Sequence, residues 1–366
     1  MEIMESKLKK WVIIATFSLL IIGLFMVRES SLIWAKYLYN DENYYFTRQL
    51  IYAIGGIIFF FIGYYINLNV VKKYSLYFLL ISLVLLLIVL IPGVGITRNG
   101  STSWLGFSLI SFQPSEFFKI SLIIYFSKYL EENYFKTKKL KSLIPLLLLS
   151  LLGFALIMMQ PDFGTCMVLA ISIFCLLYAT RLSNKWFIIF IVIGLIAITV
   201  LIMFESYRFE RIASFIDPFK DPLGSGFQII QSLFSLGPGG LVGNLDSIQK
   251  HYYLPEPQTD FIFAIFIEEF GLLGGLIVIT LYSIIFFCIF KLISKSTSLF
   301  KSFLSLGLLS LFMVQVIINL GVVIGLFPVT GITLPLISYG GSSLIVVLFS
   351  LGLIINRTKY HENIIC

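Results

Sequence analysis

Leu254-Pro255-Glu256-Pro257-Gln258-Thr259-Asp260-Phe261-Ile262-Phe263 sets a carboxylate at the entrance to an apolar run. Two prolines stiffen the approach and keep it non-helical, so Thr259 or Asp260 can cap the helix that follows. A carboxylate at that water boundary also stands where a general base meets a substrate hydroxyl. Spacing alone leaves capping and catalysis both open. Glu268 and Glu269 fall two to three turns deeper, with Glu268 nearer the face of Asp260, and either suits a buried structural acid.

A second constellation is Gln113-Pro114-Ser115-Glu116-Phe117-Phe118-Lys119. Pro114 suits the first helical position, and Glu116 suits the first turn, where the helix dipole favours an anion. Glu116 and Lys119 share a face at i, i+3. Lys119 then lies roughly 8 Å below the helix start, deep enough to need a partner or a water-filled cleft. A structural ion pair and a substrate cleft are equally compatible with that spacing. Gln160-Pro161-Asp162-Phe163-Gly164-Thr165 repeats the proline-then-acid pattern, and there N-capping by Asp162 is the favoured reading.

The charge-free run from Pro328 to Leu344, PVTGITLPLISYGGSSL, holds two prolines and three glycines. Irregular backbone survives at membrane depth only where protein or a cavity covers it, so this run is expected to fold back and wall a cavity, with Ser338 and Ser342 among its polar residues. The bland alternative is an ordinary turn beside a Gly321-xxx-Gly325 helix contact.

The elements that position these groups follow from composition. The 366 residues are 58% hydrophobic before the 27 glycines are counted, against roughly 45 to 50% for a soluble domain with glycine included. Mean hydropathy is +0.98 and only 12% of residues are charged. The expected fold is an all-α polytopic membrane protein forming one domain over residues 1–366. Ten runs are long and apolar enough to cross a bilayer: Trp11–Val27, Leu50–Ile66, Ser75–Ile91, Pro114–Leu130, Leu143–Met159, Phe163–Thr180, Lys185–Phe204, Phe261–Phe290, Phe303–Phe327 and Gly341–Asn356. No small-residue cleavage site follows the first run, which reads as a retained span.

With both termini cytoplasmic, sixteen Lys and Arg residues of the loops and ends face inward and eight outward, as the positive-inside rule prefers. The net charge of +7 is thus a topology signal, and nothing in its pattern calls for nucleic acid. Cys166, Cys175, Cys288 and Cys366 have no metal-type spacing and read as free thiols. His251 and His361 are too far apart in sequence to suggest a metal site. The long outer segment 205–260, between spans seven and eight, is rich in Gly, Pro and aromatics and is expected to be ordered. Within it Gln228, Gln231, Ser232 and Ser235 form a polar stripe opposite Phe227, Ile230, Leu233 and Phe234, the pattern of a helix lying in the outer interface.

The stretches IPGVGITRNGSTSWLG, FQPSEFFK, QPDFGT, DPLGSGFQIIQSLFSLGPGGL, YYLPEPQTDFIFAI and TGITLPLISYGGSSL, in that order between about residue 45 and residue 345, resemble the SEDS family of cell-wall proteins (shape, elongation, division and sporulation), also called the FtsW/RodA/SpoVE family. The wording is nearest its sporulation and division members. The resemblance implies a peptidoglycan glycosyltransferase that polymerises lipid II on the outer face of the plasma membrane. It also implies a class B penicillin-binding protein and other division or sporulation membrane proteins as partners. By the same resemblance the essential outer aspartate falls on Asp260, and the acid and base of the outer cleft fall on Glu116 and Lys119. Arg48, Arg98, Arg211 and Lys250 are further candidates to offset diphosphate charge. Gln228, Gln231, Ser338 and Ser342 complete the expected cleft. No cofactor is evident, and a divalent cation stays open.

Two departures from the family pattern stand out. After Gly-Pro-Gly-Gly-Leu the chain reads Val242 to Lys250, about two residues short and without the family's later glycines, and Met26 to Ser30 reads MVRES. Two other functions remain open, a lipid II flippase and a non-catalytic scaffold. A transporter calls for inverted repeats, which the sequence does not show, and a scaffold has no need of charges at the depth of Glu116 and Lys119.

Overall fold

The computed structural model describes residues 2–98, 100–107, 110–244, 254 and 257–357. Twelve α-helices are formed there: α1 Glu2–Tyr39, α2 Tyr44–Tyr65, α3 Leu68–Val89, α4 Pro114–Glu132, α5 Ile144–Met158, α6 Phe163–Tyr178, α7 Asn184–Met203, α8 Ser206–Ile216, α9 Phe227–Gly239, α10 Ile262–Ser294, α11 Leu299–Val323 and α12 Gly341–Ile354. Six of them, α1, α2, α3, α7, α10 and α11, are long and apolar enough to cross a membrane, and α5, α6 and α12 are shorter apolar helices. The chain is a helical, multi-pass membrane protein. Each of the ten expected runs coincides with a helix, with end shifts of a few residues except at α1.

Helix α1 extends the Trp11–Val27 run in both directions to 38 residues, about 57 Å at 1.5 Å per residue, far more than the roughly 30 Å hydrocarbon core requires. Ser30, Ser31 and Ala35 are still buried, and only the last turn, with Lys36 and Tyr39, is exposed throughout. A small three-stranded antiparallel sheet, β1 Ile96–Arg98, β2 Ser101–Phe107 and β3 Ile110–Phe112, joins α3 to α4 in the order β1-β2-β3. An all-α reading omits it. Gly100, just ahead of β2, takes φ +80°, a conformation that glycine adopts without steric cost.

The described part of the 205–260 segment up to Asn244 holds two α-helices, α8 and α9. Its end is wedged into α10. That helix breaks at Gly271 (φ +66°), and the main-chain groups released by the break find partners in the wedge: Leu272 N–H donates to the Gly240 carbonyl at 3.0 Å, Leu273 N–H to Leu241 at 3.1 Å, and Asn244 N–H to Glu268 at 2.9 Å. Unpaired main-chain groups would be costly at that depth. The short half-helix 262–270, which starts beside Asp260, is thereby set apart from the remainder of α10.

Helices α4, α11 and α12 form the middle of the bundle, and α2 packs along α12. Gly63 and Gly352 let α2 and α12 approach until a Cβ on either would meet the other's backbone. Helix α7 lies at the periphery with only Phe187 buried.

Candidate active site

The charge-free segment between α11 and α12 does fold back, and it lies among the helices as packed core. Leu334, Leu336, Ile337 and Ser338 are all buried. Its irregular backbone is satisfied from every side. Tyr282 of α10 donates its hydroxyl to the Pro335 carbonyl at 2.5 Å. Gln49 of α2 donates to the Ser338 carbonyl at 3.1 Å and accepts from Gly340 N–H at 3.3 Å. Glycines make room for it: a Cβ on Gly23 of α1 would overlap the Leu336 carbonyl, and one on Gly164 of α6 would stand 2.7 Å from the Thr330 carbonyl. The expected Gly321-xxx-Gly325 helix contact is absent in that form. Gly321 instead lies under the Phe327 ring, and its carbonyl accepts from Leu326 and Phe327 N–H.

This segment clasps the residues leading to Asp260. The Ser338 hydroxyl donates to the Thr259 carbonyl at 2.6 Å and accepts from Leu334 N–H at 2.8 Å. Tyr339 N–H donates to the Gln258 carbonyl at 2.8 Å. Asn319 of α11 donates to the carbonyls of Asp260 and Ile332, both at 2.8 Å. The Asp260 carboxylate faces Gly331, where a Cβ would lie 3.9 Å from Oδ2. Helix α10 is preceded at the cap position by Phe261, so Asp260 stands one residue ahead of the cap. Asp260 is half-buried, and its main chain is fixed by groups drawn from α11 and the clasp.

Gln113 and Asp162 join the two proline-containing motifs. Gln113 N–H donates to the Ser342 hydroxyl at 3.1 Å, and its side-chain amide donates to Asp162 Oδ2 at 3.1 Å. Asp162 caps α6 as expected, accepting from Thr165 N–H at 3.0 Å and from the Thr165 hydroxyl at 2.8 Å. Ser342 is thus an anchor for α4 as well as the start of α12. Two turns into the bundle, Lys119 Nζ meets Glu116 Oε1 at 2.8 Å, with Glu116 5% and Lys119 3% exposed. The pair borders a small cavity between α4, α11 and α12, shared with Phe312, Gln315, Val346 and Ser350 among others.

None of the other expected cleft residues lines that cavity. Arg48, at the start of α2, lies 4.3 Å from the Tyr44 ring centroid, and exposed Arg98 of β1 lies 5.0 Å from Trp104. Arg211 of α8 donates to the Val329 carbonyl at 3.2 Å, a bond to the clasp itself. Gln228 and Gln231 are half-buried on α9, whose serines point inward: Ser232 donates to the Val323 carbonyl at 2.9 Å, whereas Leu233 and Phe234 are exposed. The polar stripe is therefore the packed side of α9. Lys250 and Glu256 lie outside the described residues. Among the described residues, no three His, Cys, Asp or Glu side chains gather as a metal site. At the α1–α2 turn Lys36 bonds Glu42 at 2.7 Å, which holds the Glu42 carboxyl below its usual range through that hydrogen bond and the neighbouring charge.

Spacing did not point to Asn319, Gln49 or Tyr282. Asn319 is a polar group inside a long apolar run, the one available signal for it.

Known proteins resemble this chain along nearly its whole length. It is 42% identical over 354 residues to stage V sporulation protein E of Bacillus subtilis, covering 95% of this chain and 96% of that one. It is 36% identical over 360 residues to the probable peptidoglycan glycosyltransferase FtsW of Coxiella burnetii, covering 96% of each. A solved chain from a peptidoglycan synthase complex that coordinates polymerization and crosslinking superposes with a TM-score of 0.76 at 29% identity, covering 94% of this chain and 95% of that one. The rod shape determining protein RodA of Thermus thermophilus shares the fold, with a TM-score of 0.67 at 24% identity over 94% of each chain. The family model described as cell cycle protein, FtsW/RodA/SpoVE, matches residues 10–363, and the chain belongs to that family.

Proposed function

We propose that this protein is a peptidoglycan glycosyltransferase that polymerises lipid II on the outer face of the plasma membrane. The observation that carries the reading is the clasp, which spends buried amide and hydroxyl groups from distant helices on holding the main chain at Asp260. Such rigid placement is what a general base needs, since a proton is transferred only over hydrogen-bond distance. Asp260 takes the proton of the acceptor sugar hydroxyl as the new C1–O bond forms. The bond from C1 to the α-linked diphosphate breaks on the opposite face, the lipid diphosphate leaves with the bonding electrons, and the product is β-linked.

Lys119 Nζ is held against Glu116 at 2.8 Å, so the two buried charges balance each other. An arriving diphosphate offers Lys119 a second anionic partner, and the lysine offsets charge on the departing group. The orientation is read from the sixteen-to-eight distribution of basic residues, which favours cytoplasmic termini if all ten expected runs cross the bilayer. A class B penicillin-binding protein is the fitting partner, since one relative with the same fold works in a complex joining polymerization to crosslinking.

The test is purified protein with labelled lipid II, alone and with its penicillin-binding partner. Wild type is expected to yield glycan polymer, and Asp260→Asn to yield none while still inserting and binding the partner. Full polymer yield from Asp260→Asn would remove Asp260 from the chemistry.

A further inference from the structure

Four tyrosine rings run in unbroken contact from the clasp to the tip of α1. The Tyr339 and Tyr45 centroids lie 5.0 Å apart, Tyr45 and Tyr44 5.3 Å, and Tyr44 and Tyr39 3.6 Å with planes only 7° from parallel. Tyr339 is the residue whose N–H bonds the Gln258 carbonyl, two positions before Asp260. Tyr39, at the other end, stays 47% exposed. It lies twelve residues beyond Val27, where the apolar run of α1 ends, about 18 Å along the helix. Lipid does not account for rings at that height.

Cations accompany the row. Arg48 lies 4.3 Å from the Tyr44 centroid. Both Arg48 and Arg98 are close enough to the phenols of Tyr44 and Tyr339 to act on them electrostatically. The row thus combines flat apolar faces, phenol hydroxyls and two guanidiniums. A pyranose presents C–H groups to an aromatic face and hydroxyls at its edge, and a carboxylate-bearing substituent on the sugar pairs with arginine in a two-pronged bond. A single diphosphate would engage the arginines but leave four rings unused.

We infer that the tyrosine row Tyr339–Tyr45–Tyr44–Tyr39, with Arg48 and Arg98, is a binding track for the growing strand, an amino-sugar polymer carrying acidic peptides, as it leaves Asp260. The inference rests on the proposed polymerase reading. A track of this kind holds the strand near the base between additions, so its loss shortens the polymer.

The test separates binding from turnover by using full-length Asp260→Asn protein in lipid nanodiscs and a fluorescent, lipid-free, uncross-linked glycan oligomer with its peptides intact. Binding is expected in this background and should weaken about ten-fold on adding Tyr39→Ala. Adding Tyr39→Trp, which keeps a ring, should restore it, and adding Tyr37→Ala, at an exposed residue outside the row, should leave it unchanged. In otherwise wild-type protein Tyr39→Ala should shift the polymer to shorter lengths. Equal glycan binding with and without Tyr39→Ala would overturn the track. So would loss of partner-protein binding with glycan binding intact, which would make the row a protein interface. Failure of wild type to polymerise lipid II would refute the proposed function while the glycan-binding measurement still reads the row itself.

Discussion

The side-chain amide of Asn319 donates to the main-chain carbonyl of Asp260 at 2.8 Å and, through the same nitrogen, to Ile332 at 2.8 Å. One group near the C-terminal end of α11 therefore ties the proposed base to the folded-back segment. Asn319→Ala leaves both carbonyls without that donor, at a cost of about 1–3 kcal/mol. It should lower thermal stability and abolish polymer formation from labelled lipid II. Asn319→Asp, which replaces a donor by an acceptor, should be at least as damaging. Polymer yields within two-fold of wild type for either variant would show that Asp260 does not depend on this tie.

The buried Glu116–Lys119 pair makes a prediction about stability distinct from activity. Removing Lys119 alone, as Lys119→Met, leaves a carboxylate that is 5% exposed without its cation, which costs about 3–5 kcal/mol if the site stays dry. The single variants should melt lower than wild type, and Glu116→Gln with Lys119→Met should recover the melting temperature. Both variants that lack Lys119 should fail to polymerise, because the diphosphate loses its cation. An active double variant would reduce the pair to a structural role.

Gly23 makes a third test, remote from any charge. A Cβ there would overlap the Leu336 carbonyl and stand 2.7 Å from Ile337 Cα, both main-chain atoms that cannot rotate away. Gly23→Ala should cost about 1–3 kcal/mol and reduce activity by displacing the clasp. Gly194→Ala, on α7 where nothing lies within 4 Å of the new Cβ, serves as the comparison and should be neutral. If Gly23→Ala matched it in melting temperature and polymer yield, the close approach would carry no energetic weight.

Topology is open to direct labelling. In a cysteine-free background, a membrane-impermeant thiol reagent should reach Ser225→Cys from outside the cell and Lys138→Cys only after the membrane is opened. Both positions are accessible, Ser225 in the α8–α9 connection and Lys138 between α4 and α5. Labelling of Lys138→Cys in intact cells would invert the orientation and with it the proposed chemistry.

The sequence by itself determined the helical runs, because crossing a bilayer demands a length of apolar residues that any window detects. It also determined the capping role of Asp162 and the pairing of Glu116 with Lys119, which depend on neighbours three positions away. The tertiary structure alone decided which groups hold Asp260. Gln49 meets Gly340 across 291 positions, and Asn319 meets Asp260 across 59, separations at which no local period carries information. It also decided that the serine side of α9 packs inward. Burial there is set by a carbonyl at Val323 that needs a donor, and an amphipathic pattern records only that two faces differ, not which one finds protein. The 96–112 sheet escaped notice for a related reason. Strands of three, seven and three residues are too short for an alternation to stand out, and they are held to the bundle by side-chain bonds from afar, as where the Tyr52 hydroxyl accepts from Ser111 N–H at 2.9 Å and donates to its carbonyl at 3.2 Å.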